Sequence, residues 1–247
     1  MKDKILYLGT ESRVSEFLNI KGELTVTQDR ITPEAISMFD WIISYGYRYI
    51  LKQEHISAAK RDILNLHISY LPYNRGADPN FWSWVENTPK GVTIHAIDKG
   101  IDTGAVYIQE YTDFDKEETL SSSYQKLKTH IEDLFIKNFE SIRDFRILPK
   151  SQKGDGTFHF SKDRERYNHL LTSGWNTKVK DLKMTDLQII DEVEKVRTKN
   201  NKNWMDILRV AFKHAPEEAR PILAEINKSD GQISKLLDQL ANNNNNN

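Results

Sequence analysis

The chain has 247 residues, and its 35 Lys and Arg stand against 36 Asp and Glu, which gives a formal net charge of −1. This balance argues against a general nucleic-acid-binding surface, and the length suits one main domain with an appendage. Because the chain contains no Cys, disulfides, thiol catalysis and Cys-ligated zinc are excluded. The first apolar run is too short for a signal peptide, and no stretch approaches a membrane span. A soluble, cytoplasmic protein is therefore expected.

The first hundred residues alternate short apolar runs with amphipathic stretches, which is typical of βαβ units and a parallel sheet. A buried first strand at residues 5–8 is followed by a tight loop and a helix, for which Ser12 is the predicted N-cap. Three further strands are predicted, at residues 24–26, 41–45 and 63–66. Right-handed crossovers stack these strands into one open sheet.

The chain then adds a short helix, two strands and a long helix. The short helix is predicted at residues 80–85, and the strands at 92–97 and 105–108. Residues 98–104 join the two strands and carry two Gly and two Asp. From 121 to 142 the apolar positions recur at spacings of three and four, which indicates an amphipathic helix that closes the domain.

The composition turns polar after Pro149, and a domain boundary is placed there. The predicted parts are a main domain at residues 1–150, a smaller C-terminal region at 151–241 and an Asn tail at 242–247 that carries no fold information. Within the C-terminal region the sequence predicts a short strand at 157–160 and two or three short helices from 204 to 240, one starting at Pro216, with a break at 229–231.

The most informative stretch runs from Asn65 to Gly76. Period-two alternation at a strand end places Asn65 and His67 on one face, at the carboxyl edge of the sheet where open α/β sheets bind ligands. A carboxamide can donate to a developing oxyanion, and an imidazole can exchange the proton of an attacking amine. On spacing alone the structural alternative is favoured, in which Asn65 caps the strand and His67 is a satisfied, half-buried histidine.

A second element, residues 100–104, strengthens the catalytic interpretation of Asn65 and His67. Asp102 stands between two closely spaced glycines in a connection after a strand, which is a common turn. It is equally what a third catalytic group needs, since a carboxylate can orient His67 and stabilise its charge. Asn65, His67 and Asp102 are therefore a candidate catalytic set beside the structural alternative.

Four ordered blocks carry a resemblance to a known family. They are Asn-x-His-x-Ser-x-Leu-Pro from Asn65, Arg-Gly from Arg75, Gly-Val-Thr-Ile-His from Gly91 and Gly-Ile-Asp-Thr-Gly from Gly100. Together they closely resemble the formyltransferase family that uses 10-formyltetrahydrofolate. The resemblance places the family's catalytic Asn, His and Asp on Asn65, His67 and Asp102. It implies a Rossmann-like α/β domain with flanking helices, with 10-formyltetrahydrofolate as formyl donor to a primary amine and no metal.

Residues 71–83 are most similar to sugar N-formyltransferases that act on nucleotide-linked 4-amino sugars. The resemblance implies a TDP-linked 4-amino-4,6-dideoxyhexose as acceptor, a place in O-antigen and lipopolysaccharide synthesis, and a homodimer built by the C-terminal region. The alternatives are a methionyl-tRNA formyltransferase-like activity, a formyltetrahydrofolate hydrolase and a folate- or nucleotide-binding regulator without turnover. The near-zero charge opposes the tRNA alternative, because phosphate contacts need cations. No membrane or nucleic-acid partner is expected, and the final proton acceptor is left open between His67 and Asp102.

The resemblance also implies that folate is held largely by main-chain groups of two loops. The predicted folate-binding residues are Tyr47, Arg48, Tyr49, Leu51, Asp98, Gly100 and Ile101. The alternative for the tyrosines is an ordinary role in the loop and the core.

The diphosphate of a nucleotide sugar requires hydrogen-bond donors and cations. The helix start after the first strand offers N–H groups, a hydroxyl and a cation at Thr10, Ser12 and Arg13. Asn74 and Arg75 follow the catalytic strand and are also predicted to reach the sugar or diphosphate, the alternative for Arg75 being a structural turn residue. His95, near a strand middle, is expected to be packed.

Overall fold

The computed structural model describes residues 2–182, 189 and 213–242. The chain divides into two compact units after Leu182. The strands are β1 (Lys4–Gly9), β2 (Glu23–Thr27), β3 (Trp41–Tyr45), β4 (Leu64–His67), β5 (Arg75–Gly76), β6 (Gly91–Ala96), β7 (Val106–Tyr111) and β8 (Phe158–His159). The helices are α1 (Arg13–Lys21), α2 (Pro33–Ile36), α3 (Gln53–Ala58), α4 (Pro79–Val85), α5 (Leu120–Arg143) and α6 (Pro216–Asn242).

Six of the strands form one sheet in the order β2-β1-β3-β4-β6-β7. β1 pairs in parallel with β2 and β3, and β3 pairs in parallel with β4. β6 is antiparallel to β4 and to β7. The predicted open, mostly parallel Rossmann-like sheet with flanking helices is confirmed, and β4 lies well inside it.

The inner strands β1 and β3 are buried on both faces, as their continuous apolar runs predict. In β1, Ile5 and Tyr7 face a core shared with α1 and α5, whereas Leu6 and Leu8 face a second core with Ile36 of α2. The apolar stripe predicted for the long helix is the face of α5 that packs on the first core. Burial on both faces leaves the strand ends as the accessible part of the sheet.

The first unit continues past the boundary predicted after residue 150. Main-chain groups of Lys150 and Val106 exchange hydrogen bonds of 2.8 Å in both directions. β8 pairs in parallel with β5, with Phe158 opposite Arg75 and His159 opposite Gly76. Three 3₁₀ segments follow, at Ser161–Leu170, Gly174–Asn176 and Val179–Asp181. The compact unit therefore ends at Leu182 rather than at residue 150.

The predicted break at residues 229–231 is wrong, because α6 runs through it without interruption. The apolar positions Ile222, Ile226, Ile233 and Leu237 keep a helical spacing across the break. A single Gly costs only about 1 kcal/mol in a helix interior and does not end a helix whose pattern continues. The start predicted at Pro216 is confirmed, whereas the helices predicted from residue 204 and most of the Asn tail lie outside the described residues.

None of the helices in the described ranges is both long enough and apolar enough to cross a bilayer.

Candidate active site

The candidate site lies at the end of β4. Asn65 and His67 are two residues apart on this strand, and both line the same cleft. Asp102 approaches them from the loop after β6: its Oδ1 is 3.3 Å from Asn65 Nδ2, and its Oδ2 is 3.7 Å from His67 Nδ1. The structure thus brings together the three residues that the sequence predicted as a set.

Asp102 is held in place from two sides. Its backbone has a φ of +53°, a left-handed conformation that Asp tolerates better than most residues. The Gly76 N–H of β5 donates to Asp102 Oδ2 at 2.8 Å. Gln152 Nε2 donates to the main-chain oxygens of Asp102 and Gly104, both at 2.8 Å. Asp102 is therefore positioned by β5, which holds its carboxylate, and by the segment that follows α5, which holds its main chain.

His95 is a fourth member of the cluster. It is 1% exposed, so it is packed as expected, but it also stands opposite Asn65 in the register between β4 and β6. Its Nδ1 is 2.7 Å from the Ala96 carbonyl oxygen, which can only accept, so Nδ1 carries the hydrogen. Its Nε2 then accepts from Asn65 Nδ2 at 3.1 Å. Sequence reasoning did not use the antiparallel pairing of β4 with β6. That pairing places His95 opposite Asn65 and could have identified His95 as part of the site.

His67 is buried, at 7% exposure. Its Nε2 lies 3.1 Å from the main-chain oxygen of Asn74, so Nε2 carries a hydrogen and donates it. Burial lowers the pKa of His67 below its ordinary value and outweighs the opposing charge of Asp102. At neutral pH the imidazole is therefore neutral, with an unprotonated Nδ1 on the side of Asp102.

Asp102 keeps its negative charge in this setting. Burial raises its pKa, but the polar groups around it outweigh burial and hold the pKa well below the usual range. With both imidazoles neutral, the donors that favour the ionised carboxylate are the Gly76 N–H at 2.8 Å and Asn65 Nδ2 at 3.3 Å. An ionised carboxylate thus stands beside a neutral imidazole. Such a pair can take a proton on the imidazole and stabilise the imidazolium that forms.

The cleft in front of this cluster has a volume of about 610 Å³, within the range typical of small-molecule sites. All seven residues predicted to bind folate line it, in the loop after β3 and the loop after β6. Tyr47 donates its hydroxyl to the Asp29 carbonyl at 2.6 Å, and its ring meets that of Tyr49 edge to face. Asp98 Oδ1 accepts from the Gly100 N–H at 3.0 Å. Both loops are therefore internally bonded, and both face the predicted catalytic residues.

Comparison with known proteins identifies the family. Residues 27–138 match the family model described as formyl transferase. The formyltransferase PseJ from Anoxybacillus kamchatkensis, solved in complex with UDP-4,6-dideoxy-4-formamido-L-AltNAc and tetrahydrofolate, is 44% identical to this chain. The two superpose with a TM-score of 0.69 over 72% of this chain and 97% of that one. This chain belongs to the formyltransferase family.

The alignments with two curated relatives cover a smaller share of each relative's length. A methionyl-tRNA formyltransferase of Thermodesulfovibrio yellowstonii is 31% identical over 145 residues, which are 58% of this chain and 44% of the relative. A dTDP-4-amino-4,6-dideoxyglucose formyltransferase of Mycobacterium bovis is 28% identical over 137 residues, 56% of this chain and 58% of the relative. The chain thus spans about half the length of these curated relatives.

The first group of predicted substrate-binding residues does not line this cleft. Thr10, Ser12 and Arg13 are absent from its described lining. Ser12 is the N-cap of α1 as predicted, and its hydroxyl lies 2.7 Å from that of Tyr7. Arg13 Nη2 bonds Asp133 of α5 at 2.7 Å. The cation expected for a diphosphate is therefore engaged by a carboxylate on the neighbouring helix.

Asn74 and Arg75 serve the structure of the site rather than its lining. Asn74 is fully buried, and its side chain bonds Thr88 at 2.8 Å and Thr157 at 3.2 Å. This corrects the expectation that its side chain contacts the sugar. Arg75 donates through Nε and Nη2 to Gln152 Oε1, at 3.2 and 2.7 Å. The structural alternative for Arg75 is therefore favoured, since it orients the side chain that bonds the Asp102 loop.

Sequence reasoning missed one wall of the cleft altogether. Phe158, His159, Phe160 and Ser161, from β8 and the residues after it, line the cleft together with residues of the β5 to α4 segment. The only sequence signal was the alternation Phe-His-Phe in a predicted strand. It had no assigned role because nothing local indicates that this strand pairs with β5, more than 80 residues earlier in the chain.

Proposed function

We propose that this protein transfers a formyl group from 10-formyltetrahydrofolate to the amino group of a nucleotide-linked 4-amino-4,6-dideoxy sugar. The observation that carries the proposal is the neutral His67 imidazole with its unprotonated Nδ1 beside ionised Asp102, next to Asn65, in one cleft. Formyl transfer to an amine needs both a proton acceptor and a donor to the developing oxyanion.

The cleft suits a flat, partly apolar donor such as the folate. Ile50 and Ile101, on the two loops, are 74% and 39% exposed and line the cleft. Large aliphatic side chains exposed in a concave site favour an apolar ligand, and the main-chain groups of the same loops offer donors and acceptors. When bound there, 10-formyltetrahydrofolate supplies the formyl carbon that the amine attacks.

The acceptor amine must be neutral to form the new C–N bond, and it loses a proton as the bond forms. We assign that proton to His67 Nδ1, because Nε2 is already committed to the Asn74 carbonyl. Asp102 then stabilises the imidazolium across the 3.7 Å that separates its Oδ2 from Nδ1. The bond between the formyl carbon and N10 of the folate breaks as the tetrahedral species collapses, and the imidazolium returns the proton to N10, so that tetrahydrofolate leaves with N10 neutral and His67 is regenerated. The proposal thus takes His67 rather than Asp102 as the proton acceptor, a choice that the sequence left open.

Asn65 is assigned to the oxyanion. Its Nδ2 carries two hydrogens, directed to His95 Nε2 at 3.1 Å and to Asp102 Oδ1 at 3.3 Å. Donation to an oxyanion requires one of them, and we assign the hydrogen that faces Asp102 because that bond is the longer. His95 keeps the other and so fixes the plane of the carboxamide.

The nature of the acceptor is supported by the PseJ structure, which holds a UDP-linked sugar with a 4-formamido group on a 4,6-dideoxy ring. The TDP-linked acceptor predicted from the sequence has its counterpart in the mycobacterial relative named for a dTDP-linked substrate. The proposal also includes, from the sequence resemblance, a place in O-antigen and lipopolysaccharide synthesis, a homodimer and a cytoplasmic location.

The test is an acceptor screen with the full chain and 10-formyltetrahydrofolate, in which tetrahydrofolate release and product mass are followed. The acceptors are UDP- and TDP-linked 4-amino-4,6-dideoxy sugars, initiator methionyl-tRNA and water alone. We expect turnover with at least one nucleotide-linked amino sugar, and the better nucleotide identifies the natural base. Turnover with water or tRNA but with no sugar nucleotide would refute the proposed acceptor.

Three variants test the catalytic assignment in the same assay. Asn65→Ala and Asp102→Ala are expected to fold and to lose at least about a hundredfold in rate, the scale of one oxyanion-stabilising donor. Asp133→Ala is the matched control, since it removes a polar side chain of α5 whose bond within the described part of the chain is to the exposed Arg13. Wild-type rates in the first two variants would show that the assignment is wrong.

A further inference from the structure

The wall of the cleft formed by β8 presents two aromatic rings to solvent. Phe158 is 38% exposed and Phe160 is 52% exposed, although both line the cleft. Their rings meet edge to face, with centroids 4.7 Å apart and planes at 85°. Exposed aromatic side chains grouped inside a binding cleft are typical of a surface that stacks on a ligand.

These rings sit on a firmly anchored strand. His159, between them in sequence, turns inward and stacks on Trp82 with the centroids 3.8 Å apart and the planes at 9°. Its Nε2 lies 3.2 Å from Glu86 Oε1, and both side chains are largely buried. Because the His159 ring packs on Trp82, the alternation of an extended strand places the rings of its two Phe neighbours on the other face of the strand.

The strand also lies close to the predicted catalytic carboxylate. A Cβ on Gly76 would meet the Phe158 ring at 3.0 Å, so this ring packs on the glycine whose N–H donates to Asp102. Gly76 therefore links the aromatic pair to Asp102, because it contacts both the Phe158 ring and the carboxylate.

A cation borders the wall without itself lining the cleft. Lys162 is exposed, and its Nζ lies 5.7 Å from the centroid of the Phe160 ring. Aromatic rings beside an ammonium group match the two ends of a nucleoside diphosphate, which are a planar base and a polyanion. The group first predicted to bind the diphosphate, at Thr10 to Arg13, does not line the cleft.

We propose that Phe158, Phe160 and Lys162 form an acceptor wall, in which the rings stack on the nucleobase and the ammonium group pairs with the diphosphate of the sugar nucleotide. The inference rests on the proposed function, because it takes the two opposing loops as the folate side and leaves this wall to the acceptor. It places the nucleotide specificity of the enzyme in the segment after residue 150.

The test combines kinetics with direct binding. Phe158→Ala, Phe160→Ala and Lys162→Ala are compared with Phe145→Ala, which removes a ring that is 63% exposed and does not line the cleft. KM is measured separately for the sugar nucleotide and for 10-formyltetrahydrofolate. The affinities for free UDP and dTDP are measured by titration calorimetry, which does not depend on turnover.

We expect each Phe→Ala change to raise the KM for the sugar nucleotide, and the Kd for the preferred free nucleotide, by about five- to a hundredfold, the range for one base stacked on one ring. The KM for 10-formyltetrahydrofolate should not change. Phe160→Trp should retain affinity, and the effect of Lys162→Ala should fade as salt is raised. Phe145→Ala should behave as the wild type.

Unchanged nucleotide affinity in both Phe variants would overturn the acceptor wall, as would a rise confined to the KM for 10-formyltetrahydrofolate, which would assign the rings to the folate. A wild-type protein that binds neither UDP nor dTDP would also overturn it. A wild-type protein that fails the acceptor screen, but binds a nucleotide through these rings, would refute the proposed acceptor while supporting the wall. The two failures are therefore distinguishable.

Discussion

Gly76→Ala is expected to damage both stability and catalysis, because this glycine lies where β5, β8 and Asp102 meet. Its φ is +87°, and a Cβ there would lie 2.3 Å from the main-chain oxygen of His159. The clashing atom belongs to the backbone of a paired strand, so no side-chain rotation can relieve the contact. The two strands must separate, and the Gly76 N–H then moves relative to Asp102 Oδ2, now 2.8 Å away.

Gly154 supplies a matched control for the magnitude. Its φ is +80°, and a Cβ there would meet no atom within 4 Å. Gly154→Ala should therefore cost only the left-handed backbone energy of about 1 to 2 kcal/mol. Gly76→Ala adds forced overpacking of about 1 to 3 kcal/mol, for a total of about 2 to 5 kcal/mol. A hydrogen bond to a charged group, such as that from the Gly76 N–H to Asp102, contributes about 1.5 to 3 kcal/mol. Its complete loss would therefore lower kcat by about ten- to a hundredfold.

The assay is urea unfolding of both variants by Trp fluorescence, together with kcat from tetrahydrofolate release. Gly76→Ala should unfold at lower urea than Gly154→Ala and show a reduced kcat, whereas Gly154→Ala should retain the wild-type kcat. Equal stability losses in the two variants, with kcat unchanged in Gly76→Ala, would refute the packing of β8 on β5 and its role in holding Asp102.

Three further outcomes are expected. Because burial lowers the pKa of His67 below 6.5, kcat should fall with acid only below that pH. The free energy of unfolding should also decrease as pH falls below 6.5, because the buried His67 resists protonation, and it should decrease less in His67→Gln. A fall in kcat centred above pH 6.5 would contradict this prediction. Gln152→Leu should cost about 1 to 3 kcal/mol and lower kcat while both KM values hold, whereas an unchanged kcat would show that Asp102 needs no such support. Arg13→Ala should leave the KM for the sugar nucleotide unchanged, and an increase beyond about tenfold would restore its predicted diphosphate role.

Local pattern was sufficient for the elements that build the sheet. The apolar runs at β1, β3 and β4 and the helical spacing in α5 predict the observed elements because side-chain period follows directly from backbone geometry. The same alternation places Asn65 and His67 on one face. The break predicted in α6 failed because turn-forming residues were weighed above an apolar spacing that continues through them.

The predicted site likewise contains residues that were placed correctly in the cleft and residues that were not. The family motifs lie on β4, β5 and β6 and in the loops after β4 and β6, and the described cleft contains every residue that the resemblance assigned to catalysis or folate. The residues assigned to the diphosphate by local chemistry alone were placed less well. Arg13 is exposed and bonded to Asp133, and Asn74 is buried. Whether a donor is available to a ligand depends on the side chains that surround it in the folded chain, which local sequence does not reveal.

The amino-acid sequence by itself indicated the class of fold and the positions of most of its strands and helices, and its motifs singled out Asn65, His67 and Asp102 as the predicted catalytic set. Tertiary structure alone decided that His95 faces Asn65, that Gly76 and Gln152 hold Asp102, and that Phe158 and Phe160 complete the cleft. The physical reason is the range of the interactions. Periodicity and motifs are properties of neighbouring residues, whereas strand register and the meeting of distant loops arise only when the whole chain packs.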